Sequence, residues 1–136
     1  MSREVLWDSG VFLALLDADD ANHGRALAVA KKLGSERHAS IITNYVEVET
    51  HALLLRRLGR AAALQWLTAA EMDIVRVSRE DELRAKELLV GHTDKDWSLC
   101  DTISFSLMER RGIRAAFSFD RHFRQYGRFE ILGLPA

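Results

Sequence analysis

Val5-Leu6-Trp7-Asp8 and Ala115-Ala116-Phe117-Ser118-Phe119-Asp120 are the stretches whose reading decides the fold. Each is a short apolar run of the kind that becomes a buried strand, closed by an acid. In a parallel sheet the residues that follow the strands collect on the C-terminal edge, where open α/β folds hold their ligands. Outward from these two runs, short apolar segments alternate with longer helical periods, the signature of an α/β domain with a mostly parallel sheet. The pattern predicts strands near 4–7, 38–42, 73–77, 115–118 and 129–132. Helices are expected at about 10–16, 21–34, 44–58, 60–70, 79–90 and 98–111. Gly34, Gly59, Gly91 and Gly112 fall at or just after the expected helix ends, where glycine supplies a left-handed terminating residue.

A chain of 136 residues suits a single domain, 1–136, with one compact core. No low-complexity segment or linker divides it. Met1-Ser2-Arg3-Glu4 is not a charged leader before a long apolar stretch, and no window approaches the ~18 apolar residues of a membrane span. The expectation is a cytoplasmic protein without membrane contact. Cys100 is the lone cysteine, which excludes an internal disulfide and a cysteine-based zinc site. A net charge of −1 argues at first against a nucleic-acid partner. The distribution qualifies this, because four acids committed to cations would leave a mildly basic surface rich in arginine. Arg56, Arg57 and Arg60 form one cluster, Arg110, Arg111 and Arg114 a second, and Arg121, Arg124 and Arg128 a third. Arginine suits bidentate phosphate contacts, yet solvated helix ends explain the first two clusters equally well. Only the third is expected beside the site.

Asp8, Glu49, Asp101 and Asp120 each interrupt or close an apolar pattern, and together they read as an all-oxygen metal site. A buried charge costs several kcal/mol unless it is paired or coordinates a metal. Each acid also has a structural reading. Asp8 can cap the helix that follows, and Asp120 can open a turn. Ser98 can cap a helix with Asp101 three residues later. Glu49 is the most diagnostic, because helical spacing sets it among Tyr45, Val46, Ala52 and Leu53. Its neighbour Glu47 reads instead as half of a capping box with Asn44. Ser118, Arg121 and His122 make the end of the last long apolar run polar and are candidate substrate contacts. Asp94 and Asp96 read as loop acids that could approach a second cation.

The chain resembles the PIN-domain family, in particular its toxin ribonucleases of VapC type. The resemblance rests on Val5-Leu6-Trp7-Asp8-Ser9-Gly10-Val11-Phe12, Thr43-Asn44-Tyr45-Val46-Glu47-Val48-Glu49-Thr50, Ser98-Leu99-Cys100-Asp101-Thr102-Ile103-Ser104-Phe105 and Phe117-Ser118-Phe119-Asp120-Arg121-His122-Phe123, in that order. It implies a three-layer α/β/α sandwich around a parallel sheet. The family's acidic quartet falls on Asp8, Glu49, Asp101 and Asp120, and its small hydroxyl residue on Ser118. The implied activity is hydrolysis of RNA with Mg²⁺ or Mn²⁺, hard cations suited to oxygen ligands. The implied partners are RNA and a small antitoxin, with a homodimer common in the family. Helices within 10–34, carrying Ala18, Ala21, Ala26, Ala28 and Ala30, are candidates for the antitoxin contact, with ordinary packing as the alternative.

Receiver-like and haloacid-dehalogenase-type readings need paired acids after the first strand, and Asp8-Ser9-Gly10 supplies one. Two rivals keep the fold: a PIN-like module that binds nucleic acid without cutting it, and a nuclease directed at DNA.

Overall fold

The computed structural model describes residues 3–135. Five strands, β1 (Glu4–Trp7), β2 (Ala39–Thr43), β3 (Asp73–Val75), β4 (Ala115–Phe117) and β5 (Glu130–Leu132), form one sheet in the order β3-β2-β1-β4-β5. Every pairing is parallel. The helices are α1 (Ser9–Leu16), α2 (His23–Ser35), α3 (Asn44–Leu58), α4 (Arg60–Ala69), α5 (Arg79–Gly91), α6 (Leu99–Arg111) and the short α7 (His122–Tyr126).

Strand side chains alternate between the two faces of a sheet, and this alternation divides the core in two. Val5, Trp7, Ile42 and Phe117 face one layer, where Phe12, Ala26, Leu54 and Trp66 from α1 to α4 cover them. Leu6, Ile41 and Ala116 face the other, covered by Leu88, Phe105, Met108 and Phe123 from α5 to α7. The result is the expected three-layer α/β/α sandwich. In α6 every residue from Asp101 to Met108 is buried, so its helical period carries little amphipathic signal.

Several local expectations change. Thr43, not Asn44, caps α3, its hydroxyl accepting from Val46 N, while Asn44 Oδ1 accepts from Val77 N across the sheet edge. Gly34 and Gly91 lie inside the last turns of α2 and α5, whereas Gly59, Gly112, Gly127 and Gly133 have positive φ. Of the alanines on α2, Ala26 is fully buried in the core and is ordinary packing. No helix among the described residues is long and apolar enough to cross a membrane.

The chain runs from β1 to β2 and β3 on one side, then returns to β4 and β5 on the other. The strand order therefore reverses between β1 and β4, and a crevice opens beyond their C-terminal ends. Trp7 and Phe117 are register partners there, and Asp8 N continues the ladder by donating to Phe117 O at 2.9 Å.

Candidate active site

Asp8 is the first residue past β1 and also the N-cap of α1, where its Oδ1 accepts from Ser9 N at 2.9 Å. Its Oδ2 accepts from Ser118 Oγ at 3.0 Å. Ser118, the first residue past β4, is fully buried, and its Oγ in turn accepts from Asp120 N at 3.0 Å. One hydroxyl thus ties the ends of both central strands together. Burial closes Ser118 off from a substrate, so its expected substrate contact gives way to a role in positioning the two aspartates.

Asp101 occupies the first turn of α6, which a capping box with Ser98 opens. Asp101 Oδ2 accepts from Ser98 N at 3.0 Å, and Ser98 Oγ accepts from Asp101 N at 3.0 Å. The positive end of the helix favours a carboxylate here. Asp120 Oδ1 accepts from His122 N at 2.9 Å and so turns the chain into α7. His122 Nδ1 lies 2.9 Å from Asp101 Oδ2 and 3.2 Å from Asp120 Oδ2, bridging the two acids. Glu49 projects from α3, half-buried.

These residues border one cleft of about 300 Å³, lined by Asp8, Glu49, Asp101, Asp120 and His122 with Ser9, Leu53, Arg56 and Ser98. Arg121 is exposed and outside the lining, as are Asp94, which pairs with Lys95, and Asp96. Arg56 is a cleft residue that the pattern places among solvated helix ends. Its signal is the spacing from Glu49 through Leu53, which keeps all three on one face of α3.

Burial, and then the negative charges of Asp101 and Glu49, push the Asp8 carboxyl up to about 7, against the opposing hydrogen bonds from Ser118 and Ser9. The same causes, burial first and then Glu49, Asp8 and Asp101, push the Cys100 thiol far up, which leaves it an inert neutral neighbour. Positive charge in the cleft would relieve this repulsion. Among the described residues, the acids are not drawn into a ready-made cage for an ion. They offer a cation oxygen ligands only, which suits a hard divalent ion.

Comparison with known proteins matches residues 5–129 to the PIN domain model. The 23S rRNA-specific endonuclease VapC20 of Mycobacterium tuberculosis is 35% identical over 131 residues, covering 93% of this chain and 97% of that protein. The crystal structure of M. tuberculosis VapC20, described as a sarcin–ricin loop cleaving toxin, superposes with a TM-score of 0.80 at 32% identity, over 93% of this chain and 97% of that one. VapBC2 from Rickettsia felis, bound to a promoter DNA fragment, shares the fold at a TM-score of 0.69 and 10% identity, over 94% of this chain and 96% of that one.

Proposed function

The chain belongs to the PIN-domain family, and from that premise we propose that it is a metal-dependent endoribonuclease, the toxin of a toxin–antitoxin pair. The observation that carries the proposal is the convergence of four carboxylates, from four separate segments, on one cleft at the switch point of the sheet.

Asp8, Glu49, Asp101 and Asp120 would hold Mg²⁺ or Mn²⁺. Bound there, such an ion would supply activation of a water for in-line attack on a phosphodiester and charge compensation at the departing oxygen. The chain's own work is to hold its ligands ready. Ser118 orients Asp8 and ties it to the Asp120 turn. Ser98 N and the His122 ring orient Asp101 through its Oδ2. Because His122 Nδ1 faces two carboxylates, the ring serves as a brace between them rather than as an isolated proton carrier.

VapC20 is described as 23S rRNA-specific and as cutting the sarcin–ricin loop. Its identity to this chain over nearly the full length supports ribosomal RNA as the substrate to test first, and a cytoplasmic site of action. A small antitoxin is the proposed partner, with Leu16 of α1 and Leu27 of α2, both about half exposed, as its apolar footing.

The test is cleavage of a mixed RNA pool and of intact ribosomes by the partner-free protein in Mg²⁺ or Mn²⁺, with EDTA and Asp101→Asn as controls. Cleavage lost in both controls is the expected result. Equal cleavage by wild type and variant would refute it, and RNA and metal binding without cleavage would favour a binding module. Preferential cutting of DNA would redirect the same site to the other substrate.

A further inference from the structure

We propose that Arg56 is a phosphate-binding residue of this cleft, gripping the RNA backbone away from the phosphate that the carboxylates engage; this rests on the ribonuclease reading above. Glu49, Leu53 and Arg56 stand at i, i+4 and i+7 on α3 and all line the cleft. At 1.5 Å per residue, Arg56 lies about 10 Å along the helix axis from Glu49. A group so placed meets a flanking phosphate more readily than the scissile one.

The other basic residue lining the cleft is His122, whose Nδ1 is already engaged with Asp101 and Asp120. Arg56 is exposed, and among the described residues no carboxylate lies in ion-pair range of it. In the other two arginine clusters, Arg114 and Arg121 are exposed and outside the cleft lining, and the remaining four are engaged elsewhere. Arg110 pairs with Asp81, Arg111 with Glu4 and Arg128 with Glu109, while Arg124 donates to Pro135 O. A cleft walled by four carboxylates repels a polyanion at its mouth, and the chain carries a net charge of −1. Local positive charge is therefore needed to guide the strand in. A guanidinium provides it with a fork that matches two phosphate oxygens.

The competing role is compensation of the α3 dipole, since Arg56 and Arg57 both occupy its last turn. Arg57 shares that role but does not line the cleft, which makes it the matched control. Arg56→Ala, Arg56→Lys and Arg57→Ala are compared for RNA binding across a salt series, in an Asp101→Asn background that blocks cleavage. Steady-state cleavage is measured with the same substitutions in the wild-type background. Arg56→Ala is expected to weaken binding and raise KM about tenfold, with kcat nearly unchanged. It should also flatten the log–log salt dependence by about 0.7, the share of one phosphate contact on a single strand. Arg56→Lys should recover part of the loss and Arg57→Ala should cause none.

Equal effects of Arg56→Ala and Arg57→Ala, or a fall in kcat at constant KM, would overturn the proposal. If wild type binds RNA but does not cut it, the ribonuclease reading fails while the salt slope still decides the role of Arg56. If the protein binds no RNA, both fall.

Discussion

Replacing Asp8 with asparagine should stabilise the metal-free protein and abolish its activity. The Asp8 carboxyl titrates at about 7 in the folded chain against 3.8 for an unperturbed aspartate, because burial and the charges of Asp101 and Glu49 disfavour the anion. Each unit of pKa difference corresponds to about 1.4 kcal/mol, so about three units set an upper bound of about 4 kcal/mol. Relaxation of the cleft reduces this to about 2–4 kcal/mol. Between the two pKa values the folded state binds more protons than the unfolded one. Wild-type stability therefore falls as pH rises from about 4 to about 7 and levels off above. The asparagine side chain in Asp8→Asn keeps an acceptor for Ser9 N and a donor for Ser118 Oγ, so it carries the hydrogen bonds without the charge. For a domain of this size, 1 kcal/mol shifts Tm by about 4 °C. Thermal unfolding in EDTA should place Asp8→Asn about 8–15 °C above wild type at pH 8, with the gap narrowed to about a quarter to a half of that at pH 4.5 and closed only below pH 3.8. Added Mn²⁺ should raise the wild-type Tm at pH 8 and leave the variant almost unmoved. A gap that stays constant with pH, or a variant less stable than wild type at pH 8, would refute the electrostatic reasoning.

Ser118→Ala removes the hydroxyl that joins Asp8 Oδ2 to Asp120 N. It should cost about 1–2 kcal/mol in urea unfolding and lower cleavage 10–100-fold, in the range of lost ligand-orienting partners; wild-type kcat would show that the aspartates hold themselves. Gly133 has φ +105, and a Cβ there would approach Ser118 O to 2.8 Å and the Phe119 ring to 3.2 Å. Gly133→Ala should therefore destabilise by about 2–3 kcal/mol, measured by the urea midpoint. Arg110 donates twice to the buried Asp81, at 2.7 and 2.9 Å, and with Ser78 outweighs burial to hold that carboxyl below its usual range. Arg110→Met should cost about 1–2 kcal/mol at pH 7, discounted because the arginine side chain is 47% exposed. That difference should fade in acid, as the pH drops below 3.8 and through the lowered pKa of Asp81; a difference that persists there would mean the loss is packing.

The layers and the cleft are legible where one residue's pattern has one dominant cause. Val5-Leu6-Trp7 and Ala115-Ala116-Phe117 lie within a parallel sheet, where continuous apolar runs mark strands buried on both faces. The four acids are harder, because each has a local job that sequence presents as an alternative to a site role. In the folded chain Asp8 caps α1, Asp101 completes a box with Ser98 and Asp120 opens the turn into α7, and all three still line the cleft. The local bonds are what orient the carboxylates, so the two readings are one. The short helix α7 is hidden because Arg121-His122-Phe123 reads as a polar strand end, and a single helical turn has no period to detect. Thr43 is masked as the α3 cap because Asn44 is an equally good capping residue one position later; its amide side chain serves Val77 N instead, a long-range contact that no local pattern carries. The role of Arg56 is hidden because a basic last turn has an adequate explanation in the helix dipole, and only tertiary structure turns that face toward the acids.

The central claim, that the four carboxylates hold a divalent ion for RNA hydrolysis, is tested most directly by anomalous diffraction from crystals grown with Mn²⁺ near pH 8. The account predicts a peak inside the cleft bounded by Asp8, Glu49, Asp101 and Asp120, absent from Asp101→Asn crystals. A cleft without a peak, in a protein that still cuts RNA when Mn²⁺ is present, would contradict it.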